Sequence, residues 1–113
     1  MPEAETSEDR LLGGAIRLVQ PKKGHRAGTD AVLAARLSGA VPGERVVDLG
    51  SASGAIGLMI AAAVPQTRVV LVERDPVLAR MAEGNIASNG LGDRVAVASL
   101  DAFARMAAWR EAW

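Results

Sequence analysis

The sequence predicts an α/β fold built on a parallel sheet, and three observations predict it. The runs Arg45–Leu49, Arg68–Glu73 and Arg94–Ala98 are short and rich in valine, as expected of parallel strands buried between layers. Stretches of helical composition separate them, closed by stop signals such as Pro65 and Gly90. Between the first of these strands and the helix after it lies Asp48-Leu49-Gly50-Ser51-Ala52-Ser53-Gly54, a turn of small residues. A strand, a tight turn and a helix N-terminus in that order form the first half of a nucleotide-binding βαβ unit. The alternation β-α-β-α-β-α implies parallel pairing with right-handed crossovers.

Taken in order, residues 1–10 hold Glu, Thr, Ser and Pro without apolar periodicity and are expected to be a disordered acidic tail. From Leu11 to Gln20 the pattern alternates after Gly14, which predicts a short strand with Ile16 and Leu18 on one face. Pro21-Lys22-Lys23-Gly24 has turn composition and ends it. Thr29 is placed to cap a helix starting at Asp30, which would bury Val32, Leu33 and Leu37 and stop at Gly39. Val41–Glu44 connects it to the strand Arg45–Leu49. The helix Ala55–Val64 ends at Pro65, which cannot continue it. Asp75 and Pro76 stand at N-cap and first position of the next helix, which runs to about Asn89 with Val77, Leu78, Met81 and Ile86 near one stripe. After the third valine-rich strand come Asp101 and an amphipathic segment, Ala102–Trp113.

Composition narrows the functional classes. The 113 residues contain no cysteine and one histidine, His25, which removes disulfide and thiolate chemistry and argues against a metal centre. One Phe, two Trp and no Tyr leave little for a base-stacking platform. Lys plus Arg equals Asp plus Glu, 13 against 13, so net charge selects no polyanion. The acidic N-terminus is unlike a signal peptide, and the apolar run Ala55–Val64 is far short of the roughly 20 residues that span a bilayer. A soluble, cytoplasmic protein without membrane contact is expected.

The turn itself points to a ligand. The glycine pattern of dinucleotide folds would fall on Gly50, Ala52 and Ala55, so its middle glycine is lost. Asp48, at the end of the strand, would repel a pyrophosphate and favour a ligand carrying ammonium and sulfonium charges. That chemistry is S-adenosyl-L-methionine. Glu73 ends the next strand, 23 positions after Gly50, where a carboxylate accepts the hydroxyls of a ribose; this spacing serves NAD sites equally. Asp101 is placed to accept a hydrogen bond from an adenine amino group, with Leu78 and Phe103 bordering the ring.

On these residues the chain resembles a known family. Asp48–Gly54 is similar to the first motif of class I S-adenosylmethionine-dependent methyltransferases, and Glu73 and Asp101 match the second and third acidic positions. Gln20–Ala35 resembles the N-terminal signature of the adenine-N6 methyltransferases acting on valine tRNA, within the small-domain methyltransferase group. The resemblance runs from Leu11 to Asp101. It implies a Rossmann-like class I methyltransferase fold, a parallel sheet with helices on both faces, of which this chain carries the first three core strands. Residues 11–44 would be the N-terminal strand and a helix closing over the cofactor, and 45–113 the first half of the Rossmann-like domain.

Carried over by position, Asp48 and Gly50 would lie near the methionine part of the cofactor, Glu73 on the ribose and Asp101 on the adenine, with Ala52, Gly54 and Phe103 also at the cofactor. Arg26, Thr29 and Asp30 would close the site. Ala52 departs from the glycine most common in the family. The family's catalytic Asn-Pro-Pro-aromatic motif does not occur here, the prolines being Pro2, Pro21, Pro42, Pro65 and Pro76, so no catalytic residue is assigned. The resemblance implies adenine-N6 methylation of tRNA by an intact enzyme of which this chain supplies the cofactor-binding half. A nicotinamide-type oxidoreductase half-domain and a non-catalytic interaction module are the alternatives. Arg17, Lys22, Lys23 and Arg26 are the expected tRNA contacts. The strand Arg45–Leu49 would be an open sheet edge, expected to cause self-association or partial unfolding or to mark a truncated product, with Trp109 and Trp113 either covering the sheet or standing exposed where the rest of the domain packs.

Overall fold

The computed structural model of this chain describes residues 5–24 and 26–99. His25, Asp101, Phe103, Trp109 and Trp113 lie outside the described residues. Strands β1 (Thr6–Leu11) and β2 (Ile16–Pro21) form an antiparallel hairpin in the register Thr6↔Pro21 to Leu11↔Ile16. Its corner is a 3-10 turn, Leu12–Gly14, in which Gly13 and Gly14 have φ of 62° and 96°. The expected tail is therefore corrected from Thr6 onward: six residues of it and its flank are a strand. The inward positions of β1 are Ser7, Asp9 and Leu11, so its alternation is polar on polar and hydropathy did not reveal it. β2 alternates as expected, with Ile16, Leu18 and Gln20 buried.

Helix α1 (Thr29–Leu37) starts one residue earlier than the cap at Thr29 required; its N-cap is Gly28, with no side-chain cap. Its inward side is Ala31, while Leu33 and Leu37 are 53% and 81% exposed. The small residue allows α1 to lie close against the next helix, and the leucines point elsewhere. Strand β3 (Arg45–Leu49), helix α2 (Ala55–Ala63), strand β4 (Arg68–Val72), helix α3 (Pro76–Ser88) and strand β5 (Val95–Ala98) follow. β3, β4 and β5 form a parallel sheet in that order. The hairpin is a separate two-stranded sheet, so the alternation read from sequence holds from β3 onward and not for the leading strand.

In the sheet, Val46, Asp48, Val69, Leu71, Val95 and Val97 share one face by their register. α2 and α3 both pack there: Leu58, Met59, Ala61, Ala82 and Ile86 join Val69, Leu71 and Val95 in one core, completed by Ile16 and Leu18 of the hairpin. On the opposite face Val72 is buried but Leu49 is 60% exposed. The described strands pair with β3 on its β4 side alone.

Helix α3 shows why composition misled there. Asp75 caps it, accepting from the backbone N–H of Val77 at 2.8 Å and of Leu78 at 3.4 Å, with Pro76 at the start. Its buried stripe is Ala79, Ala82, Asn85 and Ile86, while Val77 is exposed. The stripe runs through Asn85 because the hairpin's outer edge needs partners. Asn85 Oδ1 accepts from Val19 N at 2.9 Å, and its Nδ2 donates to the carbonyls of Val19 and Ser53, both at 2.9 Å. One turn on, Asn89 accepts from Arg17 N and donates to Arg17 O, at 2.9 and 2.8 Å. Each side-chain amide, being a peptide group in miniature, completes the ladder of β2 as a further strand would.

Candidate functional site

The turn between β3 and α2 is shaped by backbone. Gly50 (φ 67°) and Gly54 (φ 99°) occupy the left-handed region, and Ala52 (φ 51°) does so as well, at a steric cost that glycine would not incur. Ser51 N donates to Val72 O at 3.0 Å, which fastens the turn to the C-terminal end of β4. A Cβ on Gly54 would stand 2.9 Å from Leu71 Cδ1, so the glycine also lets the turn settle on the sheet.

Gly57, inside α2, permits a still closer approach. A Cβ there would lie 2.3 Å from Leu71 Cδ2 and 3.3 Å from Asp48 Oδ2. In its absence, Asp48 Oδ2 accepts the Gly57 N–H at 3.0 Å. Asp48 thus caps α2 from the neighbouring strand, in place of the side chain that Gly54 lacks, and meets the positive end of the helix. Its carboxyl is nevertheless held above the usual aspartate range. Burial pushes it up, the Gly57 N–H opposes that, and the Glu73 charge adds to the upward push.

Glu73 is buried at the end of β4, 9% exposed. Its Oε1 accepts from Ala52 N at 2.8 Å and its Oε2 from Asp75 N at 2.9 Å. One carboxylate therefore joins the turn to the start of α3, with lone pairs remaining on both oxygens. Beside it, Ser51 Oγ is buried with no hydrogen-bond partner among the described residues, the sort of orphaned polar atom that a ligand satisfies.

A pocket of about 200 Å³ opens at this turn, bounded by Asp48, Gly50, Ser51 and Ala52 on one side and by Gln20, Asp30 and Ala34 on the other. It is smaller than the roughly 300–1,000 Å³ of whole small-molecule sites, and so suits one end of an extended ligand. The acids and the orphaned hydroxyl fit the amino-acid end of S-adenosyl-L-methionine, whose ammonium needs acceptors.

Of the residues expected at the cofactor, Asp48, Gly50 and Ala52 line this pocket, and Gly54 and Glu73 adjoin it through the turn. Thr29 is exposed at the start of α1, whereas its neighbour Asp30 lines the pocket. Arg26 does not line this pocket among the described residues and is bonded to the hairpin: it donates to Ser7 Oγ at 2.9 Å and to Asp9 Oδ2 at 3.0 Å, and also reaches Pro21 O. Arg17 pairs with Glu8 at 2.7 Å. Two of the four cations expected to meet RNA are thus paired within the hairpin, by acids of the segment expected to be a disordered tail. Lys22 and Lys23 are exposed.

Sequence reasoning missed Gln20, Ser51, Gly57 and Asn85. Buried Gln20 accepts from Ala27 N at 2.9 Å and donates to Asp9 Oδ2 at 2.9 Å, so it ties the loop before α1 to the hairpin while facing the pocket. A glycine inside a helix costs about 1 kcal/mol relative to alanine, so Gly57 did carry a signal of close packing. Asn85 and Asn89, four apart on one helix face, carried another.

A three-stranded parallel sheet with a ligand pocket outside the carboxyl end of its first strand defines a Rossmann-like α/β protein. The chain belongs to the methyltransferase small domain family, whose model matches residues 22–109. It is 39% identical over 80 residues to a tRNA1(Val) (adenine(37)-N6)-methyltransferase of Porphyromonas gingivalis, a match covering 67% of this chain and 31% of the relative. With the enzyme of that name from Yersinia pestis it shares 34% identity over 107 residues, 89% of this chain and 43% of the relative. The chain therefore spans less than half of either relative. Among solved structures, Pyrococcus horikoshii TYW2 in complex with MeSAdo superposes with a TM-score of 0.71 at 23% identity, over 89% of this chain and 38% of that one. That likeness is one of fold.

Proposed function

We propose that this chain is the cofactor-binding half of an S-adenosyl-L-methionine-dependent methyltransferase whose acceptor is the N6 of an adenine in tRNA. The observation that carries the cofactor reading is Asp48, a carboxylate held above its usual range beside a second acid and opening on a pocket. An acid so placed is costly to ionise alone and is relieved by a cation. A pyrophosphate would add a third negative group, which disfavours the nicotinamide alternative. The cofactor supplies a methyl group activated on a sulfonium. The chain's part is to seat it: Asp48 meets the ammonium, Ser51 Oγ supplies a further polar contact, and Glu73 accepts the ribose hydroxyls while still holding the turn. Asp101 and Phe103 are proposed for the adenine. The adenine-N6 assignment rests on the names of the relatives and on the signature Gln20–Ala35.

Titration calorimetry with S-adenosylhomocysteine and with NAD tests this. S-adenosylhomocysteine is expected to bind and NAD not to. Asp48→Asn keeps an acceptor for Gly57 N and is expected to weaken binding by roughly tenfold or more, the loss of one charge-assisted contact. Binding of NAD in preference, or no effect of Asp48→Asn, overturns the reading. Contact with tRNA falls mainly to Lys22 and Lys23, since Arg17 and Arg26 are paired. The exposed flank of β3 is the proposed surface for self-association, which light scattering measures. No helix among the described residues is long and apolar enough to cross a membrane, and a cytoplasmic location goes with a tRNA substrate.

A further inference from the structure

The inward row of β2 is apolar until its last member. Ile16 and Leu18 are buried, and the next inward position is Gln20, 1% exposed. Burying an amide is costly unless its polar atoms are paired. Both ends of Gln20 are paired, in different directions. Its Nε2 donates to Asp9 Oδ2 on β1 at 2.9 Å, and its Oε1 accepts at 2.9 Å from Ala27 N, in the segment that leads into α1. The ladder already holds β1 against β2, so the bond that adds a new connection is the one to Ala27.

That connection matters because α1 begins with little support of its own. Its N-cap, Gly28, has no side chain, and the Gly28 carbonyl is taken by the helix's own first donors, Ala31 N and Val32 N, at 3.1 and 3.2 Å. Ala31 is the one buried residue of the helix. Asp30 and Ala34 nevertheless form, with Gln20, the wall of the pocket that faces Asp48 and Ser51. The place of that wall is therefore set upstream, where residues 26 and 27 are fastened to the hairpin. Arg26 reaches Asp9 Oδ2, the oxygen that also takes Gln20, through a long side chain. Gln20 meets the backbone of Ala27 directly.

We infer that Gln20 is a positioning residue for the amino-acid end of S-adenosyl-L-methionine. It acts through Ala27, holding Asp30 and Ala34 across the pocket from Asp48 and Ser51. The inference rests on the cofactor reading proposed above and adds to it the group that sets the far wall. Order already present in the free protein need not be imposed on binding, which favours affinity. The bonds of Gln20 run to β1 and to Ala27, whereas Glu73, proposed for the ribose, is fastened to the turn and to the start of α3. Loss of Gln20 is therefore felt at one end of the ligand.

Calorimetry on the whole chain with S-adenosylhomocysteine and with 5′-methylthioadenosine, which lacks the amino-acid end, tests this. Gln20→Met keeps the side chain's length and removes both hydrogen bonds. It is expected to weaken S-adenosylhomocysteine by roughly three- to tenfold and to leave 5′-methylthioadenosine unchanged. Asp9→Ala, at a half-buried position, removes the acceptor that orients the Gln20 amide; it is expected to show the same selective loss, smaller, and decides the matter if Gln20→Met does not fold. In the ligand-free Gln20→Met chain, hydrogen exchange should rise at Ala31 and Val32 with Val69 and Leu71 still protected. Unchanged S-adenosylhomocysteine binding, an equal loss for both ligands, or exchange that rises throughout overturns the inference and leaves the cofactor reading standing. A wild-type chain that binds neither ligand overturns the cofactor reading and this inference with it.

Discussion

The hairpin and the β3–α2–β4 unit sit against each other and are held by different physics. In the β3–α2–β4 unit, Leu58, Met59 and Leu71 are fully buried, and Gly54 and Gly57 remove the side chains that would keep helix and sheet apart. The hairpin contributes only Ile16 and Leu18 to the fully buried apolar core. The rest of its attachment is polar. Asp9 gathers Ser7, Gln20 and Arg26, at 2.9–3.0 Å, and Asn85 and Asn89 bind its free edge. Burial stabilises the first region without regard to direction, while the second depends on each donor meeting one acceptor. The comparison separates a rigid support for the ligand from a directional fastening of the wall facing it.

Truncating one residue in each region tests that difference most strongly. Leu71→Ala is expected to cost about 3 kcal/mol, the usual range for a fully buried leucine, and to lower the melting temperature of the whole chain. Asn85→Ala leaves the Val19 N–H and the Val19 and Ser53 carbonyls without their partner and is expected to cost about 2 kcal/mol. Hydrogen exchange should then rise first at Val19 and in the turn, with β4 still protected. Uniform exchange in both variants would show that the two regions open as one unit.

A pH series sharpens the contrast, because the carboxylates in the two regions shift in opposite directions. Asp9 is lowered, chiefly by the Gln20 hydrogen bond and then by Ser7, with Arg26 adding to it; Glu8 is lowered by Arg17. A depressed pKa stabilises the fold above the unfolded value, near 3.9 for aspartate, and that contribution is lost as pH falls through the lower folded value. Asp48 is raised by burial, so between its unfolded and folded values the native chain holds the extra proton and stability falls as pH rises. Thermal melts from pH 3 to 7 should therefore find Asp9→Asn less stable than wild type at neutral pH, and Asp48→Asn more stable. The Asp9 difference should shrink as pH falls below about 4, whereas the Asp48 difference should already shrink as pH falls from its raised folded value toward about 4. A stabilised Asp48→Asn that binds S-adenosylhomocysteine poorly would mark Asp48 as an acid retained for its ligand at the expense of stability.

The smallest effect falls on the turn. Ala52→Gly relieves the left-handed backbone at φ 51°, worth about 1–2 kcal/mol, against a loss of about 0.5–1 kcal/mol from the freer unfolded chain. A net gain of about 0.5–1 kcal/mol is expected by denaturant titration. No gain would show that the neighbouring bonds, Glu73 to Ala52 N among them, set this conformation at no strain.

The β3–α2–β4 unit was legible in the sequence and the hairpin largely was not. The limits of β3 were read as they stand, and those of α2 and β4 to within a residue at their C-terminal ends, because valine runs, Gly50, Gly54 and Pro65 are local signals. Asp48 and Glu73 were likewise visible as acids at strand ends. β1 was missed because its inward positions are Ser7 and Asp9, and Leu33 and Leu37 were expected to be buried because they are apolar.

What the sequence by itself determined is the order of elements from β3 to β5 and the turn between them, since strand composition, glycine and proline act on the chain within a few residues of themselves. Only the tertiary structure decided that Asn85 serves a strand 66 positions away, that Arg26 belongs to Asp9, and that Asp48 caps a helix through Gly57. A polar side chain's partner depends on which backbone arrives beside it, and that is fixed only once the chain has folded.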